Sequence, residues 1–251
     1  MSIGTTPPGA ANEEEAARWV RDMFGRIAGR YDLLNHLLSF NIDRTWRNRT
    51  VRRVAEVVAR PNARVLDMCC GTGDVLLALD AQRARLASPQ DRTVLGSDFC
   101  HPMLVEANRK ASLRGTRTPL FEADSLALPL ADASLDLITV AFGFRNLASY
   151  DRGMREMLRV LKPGGVAAIL ELSQPRNRAF APIYRFFSGH VMPWVGGVVS
   201  GSLEAYSYLP ESVRKFPGAE LLAEQMRSAG FSHVEFERMT LGAVALHLGT
   251  K

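Results

Sequence analysis

Arg64-Val65-Leu66-Asp67-Met68-Cys69-Cys70-Gly71-Thr72-Gly73-Asp74 decides how the chain is read. An apolar run stops at Gly71-x-Gly73, and Val75, Leu76, Leu77 and Leu79 follow it. That order predicts a buried strand, a sharp loop and then a helix. Glycines give the loop backbone its freedom and let the main chain come close to a ligand. The stretch reads as a nucleotide cradle, with Asp67, Gly71, Thr72 and Gly73 as its candidate contacts.

Small differences narrow the ligand. A dinucleotide fingerprint needs a third glycine three residues after the second, and Leu76 stands there. A phosphate loop needs Gly-Lys-Ser/Thr, and no lysine lies nearby. An acidic strand residue, Asp67, and a hydroxyl in the turn, Thr72, suit a cationic ligand without phosphate. S-adenosylmethionine (SAM) has an ammonium, a sulfonium and a ribose diol, and it fits.

Later segments extend the pattern. Thr93 to Asp98 reads as a second buried strand ending in a carboxylate, a little beyond the ~20 residues at which a ribose-binding acid follows such a loop. Asp98 can accept from both ribose hydroxyls, and it can also cap the helix that starts near Pro102. Pro119 to Asp124 is a third strand ending in an acid followed by Ser125, where a side chain can meet an adenine amine. Leu137 to Ala141 is a fourth strand, leading into Phe142-Gly143. Asp151 to Leu161 is an amphipathic helix stopped by Lys162-Pro163-Gly164-Gly165, and Val166 to Leu170 is the fifth strand. Phe231 to Arg238 and Ala243 to Leu248 form a closing hairpin across Thr240-Leu241-Gly242.

Upstream, Glu13 to Arg30, Asp32 to Ser39 and Ile42 to Ala59 carry helical periodicity, and Pro61-Asn62 ends the third helix. That helix carries Arg44, Arg47, Arg49, Arg52 and Arg53, read either as a solvated face or as a footing on anionic lipid. The expected fold is α/β: a seven-stranded, mostly parallel sheet with helices on both faces, its last two strands a hairpin. N-terminal helices precede it, and a helical insertion separates strands five and six. Residues 1–12 are expected to be disordered, 13–60 to form a helical cap, and 61–251 the ligand-binding domain, with 174–216 as the insertion.

The 251-residue chain has 47% hydrophobic residues, enough for a full core, and a net charge of +5 that permits an anionic partner. Three cysteines, Cys69 and Cys70 adjacent, make no disulfide framework and point to a reducing compartment. The N-terminus lacks the charged and apolar regions of a signal peptide, and no window is a spanning helix. A cytoplasmic protein, with peripheral contact to the inner membrane face, is the expectation. The five histidines show no metal-ligand spacing, so no metal is expected. No interleaved basic and aromatic surface announces a nucleic-acid partner.

Val65 to Asp74, Asp98, Leu128-Pro129-Leu130 and Arg159 to Gly165 together resemble the class I SAM-dependent methyltransferases. More closely, the chain resembles the ubiquinone/menaquinone biosynthesis C-methyltransferases, of the demethylmenaquinone methyltransferase type. Phe24-x-x-Ile27-Ala28-x-x-Tyr31-Asp32, Ala141 to Asn146, Leu170-Glu171-Leu172-Ser173-x-Pro175, Tyr206 to Ser212 and Leu246 to Lys251 carry that likeness, from Phe24 to the C-terminus. The resemblance implies methyl transfer from SAM to a ring carbon of a polyprenylated hydroquinone. It carries Thr72, Asp98 and Asp124 with Ser125 over as cofactor contacts. Where some relatives have serine, this chain has Ala141, which leaves only a backbone contact.

Methylation of an aromatic carbon draws electron density from a phenol losing its proton, so the protein must position the ring and stabilise an anionic oxygen. Arg145 beside Asn146 is the first candidate to hold the phenolate. An arginine is too basic to take the proton. His190 in the insertion, with a reference pKa near ~6.5, can take it. Tyr31 and Tyr206 are candidates to close over the substrate. The insertion is rich in aromatics, from Phe180 through Trp194 to Phe216, and is broken by Gly196, Gly197 and Gly201. Such a segment can cover an apolar ring and its prenyl tail. Other small-molecule methyltransferases and a non-catalytic SAM-binding subunit stay open at this level, as does a homodimer.

Overall fold

A computed structural model of the protein describes residues 4–5, 7–86, 94–175, 182, 184, 186, 189 and 203–251, the side chains of 203–207 excepted. Its centre is the strand after Arg64. β1 (Val65–Met68) is buried along its whole length, because strands pair with it on both edges and helices cover both faces. β2 (Val94–Asp98), β3 (Leu120–Glu122), β4 (Leu135–Ala141) and β5 (Leu161–Leu172) run parallel to it. β7 (Val244–Thr250) lies antiparallel between β5 and β6 (Val234–Met239). The sheet order is β3-β2-β1-β4-β5-β7-β6, the seven-stranded architecture expected from the sequence.

Two apolar layers sandwich the sheet. On one face, Met154, Met157 and Val160 of α7 (Tyr150–Val160) pack with Leu222 and Met226 of α9 (Ala219–Ala229). On the other, α3 (Asp43–Arg53), α4 (Ala55–Val58) and α5 (Asp74–Leu86) contribute Trp46, Val51, Val58, Leu76 and Leu79, and α6 (His101–Leu113) adds Leu104. A third cluster joins α1 (Glu13–Ile27) and α2 (Tyr31–Leu38) to Tyr208 of α8 (Leu203–Lys215). Asn12 caps α1 by accepting from Glu15 N–H at 2.9 Å, and Glu15 accepts from Ala11 N–H at 2.8 Å.

Boundaries differ where tertiary pairing overrides local pattern. The helix expected over Ile42 to Ala59 breaks at Val54 (φ −101°, ψ 6°) into α3 and α4. β5 begins at Leu161 rather than Val166, since Leu161 already pairs with Leu135 and Gly164 N–H donates to Lys251 carbonyl at 2.9 Å. The arginines of α3 are mostly engaged: Arg49 forks onto Glu237 and Arg53 pairs with Glu235, clamping the helix to β6. Trp46 Nε1 adds a bond to Thr240 Oγ1 at 2.8 Å.

The chain runs outward from β1 to β3 and then returns to β4 beside β1. The carboxyl ends of β1 and β4 thus flank the crevice where such sheets bind ligands. The loops there approach closely. A Cβ on Gly143 would lie 2.4 Å from Cys69 Cβ, and Cys69 (φ +54°) and Phe142 (φ +60°) both adopt left-handed backbone. Gly143→Ala should cost about 1–3 kcal/mol of stability by overpacking, read as a shift in denaturant midpoint at constant slope. Cys69→Gly added to it should recover part of the loss, because it removes the clashing atom and relieves the left-handed residue.

Candidate active site

The cradle is held by its own hydrogen bonds. Cys70 N–H donates to Ser97 carbonyl at 2.9 Å and Gly73 N–H to Cys70 carbonyl at 2.9 Å. Asp98, buried at the end of β2, accepts from Gly71 N–H with one oxygen at 2.8 Å and from Cys100 N–H with the other at 2.9 Å. It therefore fixes the loop after β1 and the start of α6 together. Gly73 (φ +85°) lets the loop lie against α6, where a Cβ would come within 3.1 Å of Ala107 Cβ.

Two connected hollows lie above the cradle. One is walled by Gly71, Asp98, Phe99, Met103, Asp124 and Ser125. The other runs over Asp67, Thr72, Asp74 and Val75 toward Arg47. Beyond them opens an apolar cavity of about 390 Å³ with Leu38, Ile42, Trp46, Leu172, Pro210 and Val213 in its walls. Tyr31 and Phe142 line all three spaces, so these two rings form the partition between cradle and cavity. Trp46 backs Phe142 with ring centroids 6.0 Å apart.

Arg145 and Arg47 are the two guanidinium groups in the walls of the large cavity. Arg145 is the one carried by the sheet. It sits in a short 3-10 turn, Phe144–Asn146, directly after β4. Its Nη1 donates to Glu171 Oε1 at 2.8 Å and to the Phe142 carbonyl, while its backbone N–H donates to Glu171 Oε2 at 3.1 Å. Nε is buried without a hydrogen-bond partner among the described residues.

A family model described as the ubiE/COQ5 methyltransferase family matches residues 10–251. The chain belongs to the ubiE/COQ5 methyltransferase family. The demethylmenaquinone methyltransferase of Thermus thermophilus is 47% identical over 229 residues, 91% of this chain and 100% of the relative. That of Deinococcus radiodurans is 41% identical over 251 residues, 100% of each chain. The ubiquinone/menaquinone biosynthesis C-methyltransferase of Geobacter sulfurreducens is 41% identical over 94% of this chain and 90% of its own. In fold, the chain is similar to the [4+2]-cyclase SpnF (TM-score 0.66, 18% identity, 100% of this chain and 98% of that one). It is also similar to a possible histamine N-methyltransferase from Thermotoga maritima (TM-score 0.62, 20% identity, 92% and 99%).

SAM is the methyl donor of this ubiE/COQ5 family member, and the cradle fits it. Each Asp98 oxygen keeps a lone pair beyond its backbone bond, which ribose hydroxyls can use. Burial raises Asp98 to about 6, although the Cys100 and Gly71 N–H groups oppose the rise. Burial raises Asp67 further, to about 7, against a 2.6 Å bond from Thr139 Oγ1. Asp74 behaves oppositely: burial pushes it up, but Arg47 and Lys110 outweigh burial and hold it below the ordinary carboxylate value. The thiols of Cys69 and Cys70 are raised by burial, as is Cys100, to about 11, which suits packing rather than nucleophilic roles.

The structure brings Asp67, Gly71, Thr72, Asp98, Asp124, Ser125 and Ala141 into the two hollows of the cradle. Asp124 is exposed and also accepts from Leu126 N–H at 2.9 Å. Ser125 Oγ lies 3.2 Å from Cys69 Sγ. Thr72 Oγ1 donates to Asp32 at 2.5 Å. Asn146, expected beside the substrate, lines the cradle side and accepts from Tyr208 OH at 3.1 Å. Tyr208 in turn lies 2.5 Å from Thr5 Oγ1, and Thr5 N–H donates to Leu147 carbonyl at 2.8 Å. Part of the stretch expected to be disordered is therefore docked beside the cradle. Tyr206 falls in α8 with its side chain outside those described, and His190 lies outside the described residues, as does most of 174–216. Sequence reading passed over Glu171, Asp32, Lys110 and Arg47. Glu171 and Asp32 stood inside quoted motifs, whereas nothing in sequence distinguished Arg47 from its neighbours on α3.

A cationic ligand favours ionised Asp67 and Asp98, which hold protons up to about 7 and about 6 without it. SAM binding is expected to release protons near pH 6.5 and to tighten as pH rises through that window. Calorimetry in two buffers of different ionisation enthalpy reads the release, and a pH-independent affinity would contradict it.

Proposed function

We propose that the protein methylates a ring carbon of a polyprenylated hydroquinone with SAM, and that demethylmenaquinol is its acceptor. The observation that carries this reading is the Tyr31–Phe142 partition, with an acid-lined cradle on one side and an apolar cavity holding Arg145 on the other. When bound, SAM supplies an electrophilic methyl carbon. The cavity supplies an apolar bed for a ring and the first part of its tail, and excluding water there strengthens every polar contact inside.

Arg145 then orients the ring through an oxygen. Its charge is largely balanced by Glu171, so what it offers is a set of fixed N–H donors, strongest when the phenol has become phenolate. Glu171, 1% exposed, holds those donors in place. The phenolic proton leaves as the oxygen becomes anionic, and the ring carbon gains the methyl group as the donor's S–CH3 bond breaks and its sulfonium becomes a neutral thioether. That carbon then loses its hydrogen as a proton while the oxygen takes one back, so the hydroquinone is restored and one proton is released net. Arginine cannot accept either proton. We assign acceptance to His190, the single histidine of the 174–216 insertion. Names of relatives at 41–47% identity support demethylmenaquinol over other rings.

An assay with labelled SAM should show methylation of demethylmenaquinol in preference to a benzoquinol analogue. Arg145→Lys should keep SAM affinity and lower kcat by about 10²-fold, as loss of an oxyanion donor does. Normal turnover in that variant would remove Arg145 from the mechanism.

A tail this apolar must be collected from a bilayer, and we place the docking face at α2. Leu33, Leu37, Phe40 and Ile42 are 60%, 46%, 72% and 40% exposed, and the last two also line the cavity. Among the described residues, Arg44 and Arg52 carry no ion pair and are exposed, suited to anionic headgroups. No helix among the described residues is long and apolar enough to cross a membrane. Leu33→Ser with Leu37→Ser should weaken binding to anionic vesicles at least about tenfold, because it removes apolar area from the contact. Turnover of a short-tailed soluble quinol should be unchanged.

A further inference from the structure

The Asp67–Asp74 end of the cradle, away from Asp98 and Asp124, carries more charge than the reaction accounts for. Asp67, Thr72 and Asp74 line it, and among the described residues that line it Arg47 is the one cation. Arg47 is one turn into α3, its side chain 11% exposed, with Nη1 2.7 Å from Asp43 Oδ2 and 2.7 Å from Asp74 Oδ2. Both acids have further partners. Asp74 also pairs with Lys110, which itself reaches Asp32 at 2.7 Å and Thr72 Oγ1 at 3.2 Å. Asp43 also meets His36 Nδ1 at 2.8 Å and Ser39 Oγ at 2.7 Å.

The amino-acid end of SAM bears an ammonium and a carboxylate. Asp67 and the backbone carbonyls suit the ammonium, and Arg47 is the cation among the described residues that line this hollow and could receive the carboxylate, Lys110 being held by Asp32, Asp74 and Thr72 outside that lining. We propose that Arg47 binds the carboxylate of SAM. Its planar fork has donors besides the Nη1 that Asp43 and Asp74 share, so it can take a further carboxylate pairwise. Should it turn from Asp74 to do so, Lys110 keeps Asp74 paired and no buried acid is stranded.

The position has a second consequence. Arg47 also lines the large apolar cavity, next in sequence to its wall residue Trp46. A carboxylate seated on Arg47 fixes α3 from the cradle side, so donor binding sets one wall of the acceptor cavity. Arg47 is in this sense a positioning residue for both ligands. The inference rests on SAM as donor, and it goes beyond that assignment by naming the group that selects the amino-acid end.

Calorimetry on the full chain with SAM and with decarboxylated SAM, which keeps the ammonium and lacks only the carboxylate, tests it. The wild-type protein should prefer SAM by about 10²-fold, the scale of a charge-assisted pair of bonds. Arg47→Ala should lose that preference by weakening SAM alone, leaving decarboxylated SAM within about twofold, and Arg47→Lys should fall between. Equal weakening of both ligands by Arg47→Ala would reduce Arg47 to a structural clamp and overturn the inference. Equal affinity of the wild-type chain for the two ligands would overturn it without any variant. A wild-type chain that bound neither ligand would instead strike the donor assignment.

Discussion

The site depends first on one buried carboxylate. Asp98 accepts one backbone N–H from a remote segment, Gly71 after β1, and one from its own loop, Cys100 before α6. α6 begins at Cys100 without a side-chain cap, and Cys69 in the loop after β1 adopts a left-handed backbone. Burial makes the charge costly, and the two bonds repay part of that cost, which is why Asp98 remains a mid-range acid. A ribose diol could use the lone pairs that these two bonds leave open. The group that folds the cradle is thereby also placed to meet a ligand in it.

The second constraint is the closeness of the loops after β1 and β4. With Cys69 against Gly143 and Phe142 in a left-handed conformation, Phe142 comes to line the cradle together with Tyr31. Left-handed backbone in a non-glycine residue is costly and persists where surrounding packing over-determines it. Here Trp46 backs the ring, and Trp46 is itself tied to Thr240. The N-terminal helices therefore complete the site: they supply Tyr31, Trp46 and Arg47, without which the sheet would offer an open crevice.

This division explains what the sequence disclosed. The strands and the cradle were legible because most strands end in their own local signal, the glycines after Met68, the acids at Asp98 and Asp124, and the turn at Lys162 to Gly165, whereas the order of strands in the sheet was not. Contacts that cross between elements left little trace. The arginines of α3 look alike in sequence, yet Arg49 and Arg53 clamp β6, Arg47 enters the cradle, and Arg44 and Arg52 face solvent. Only tertiary placement separates those roles. Asn146 shows the same limit: adjacency to Arg145 predicted a shared ring contact, but the 3-10 turn aims successive side chains to opposite sides of the partition.

The pairing of Arg145 with Glu171 bears on how an apolar cavity can favour an anion at all. A lone buried guanidinium would be expensive to fold and would attract water or stray anions into the cavity. Neutralised by Glu171, it is affordable in an apolar wall, and burial, which would lower its basicity, is outweighed by that partner. The surrounding dielectric is low, so under the mechanism proposed above the directed N–H groups of Arg145 would gain strength as charge gathers on the phenolic oxygen, while a neutral quinol would gain less. The difference between those two states is what accelerates a reaction; uniform affinity for the quinol would not. A neutral pair in a dry wall thus discriminates between ground state and phenolate more sharply than a free cation open to water.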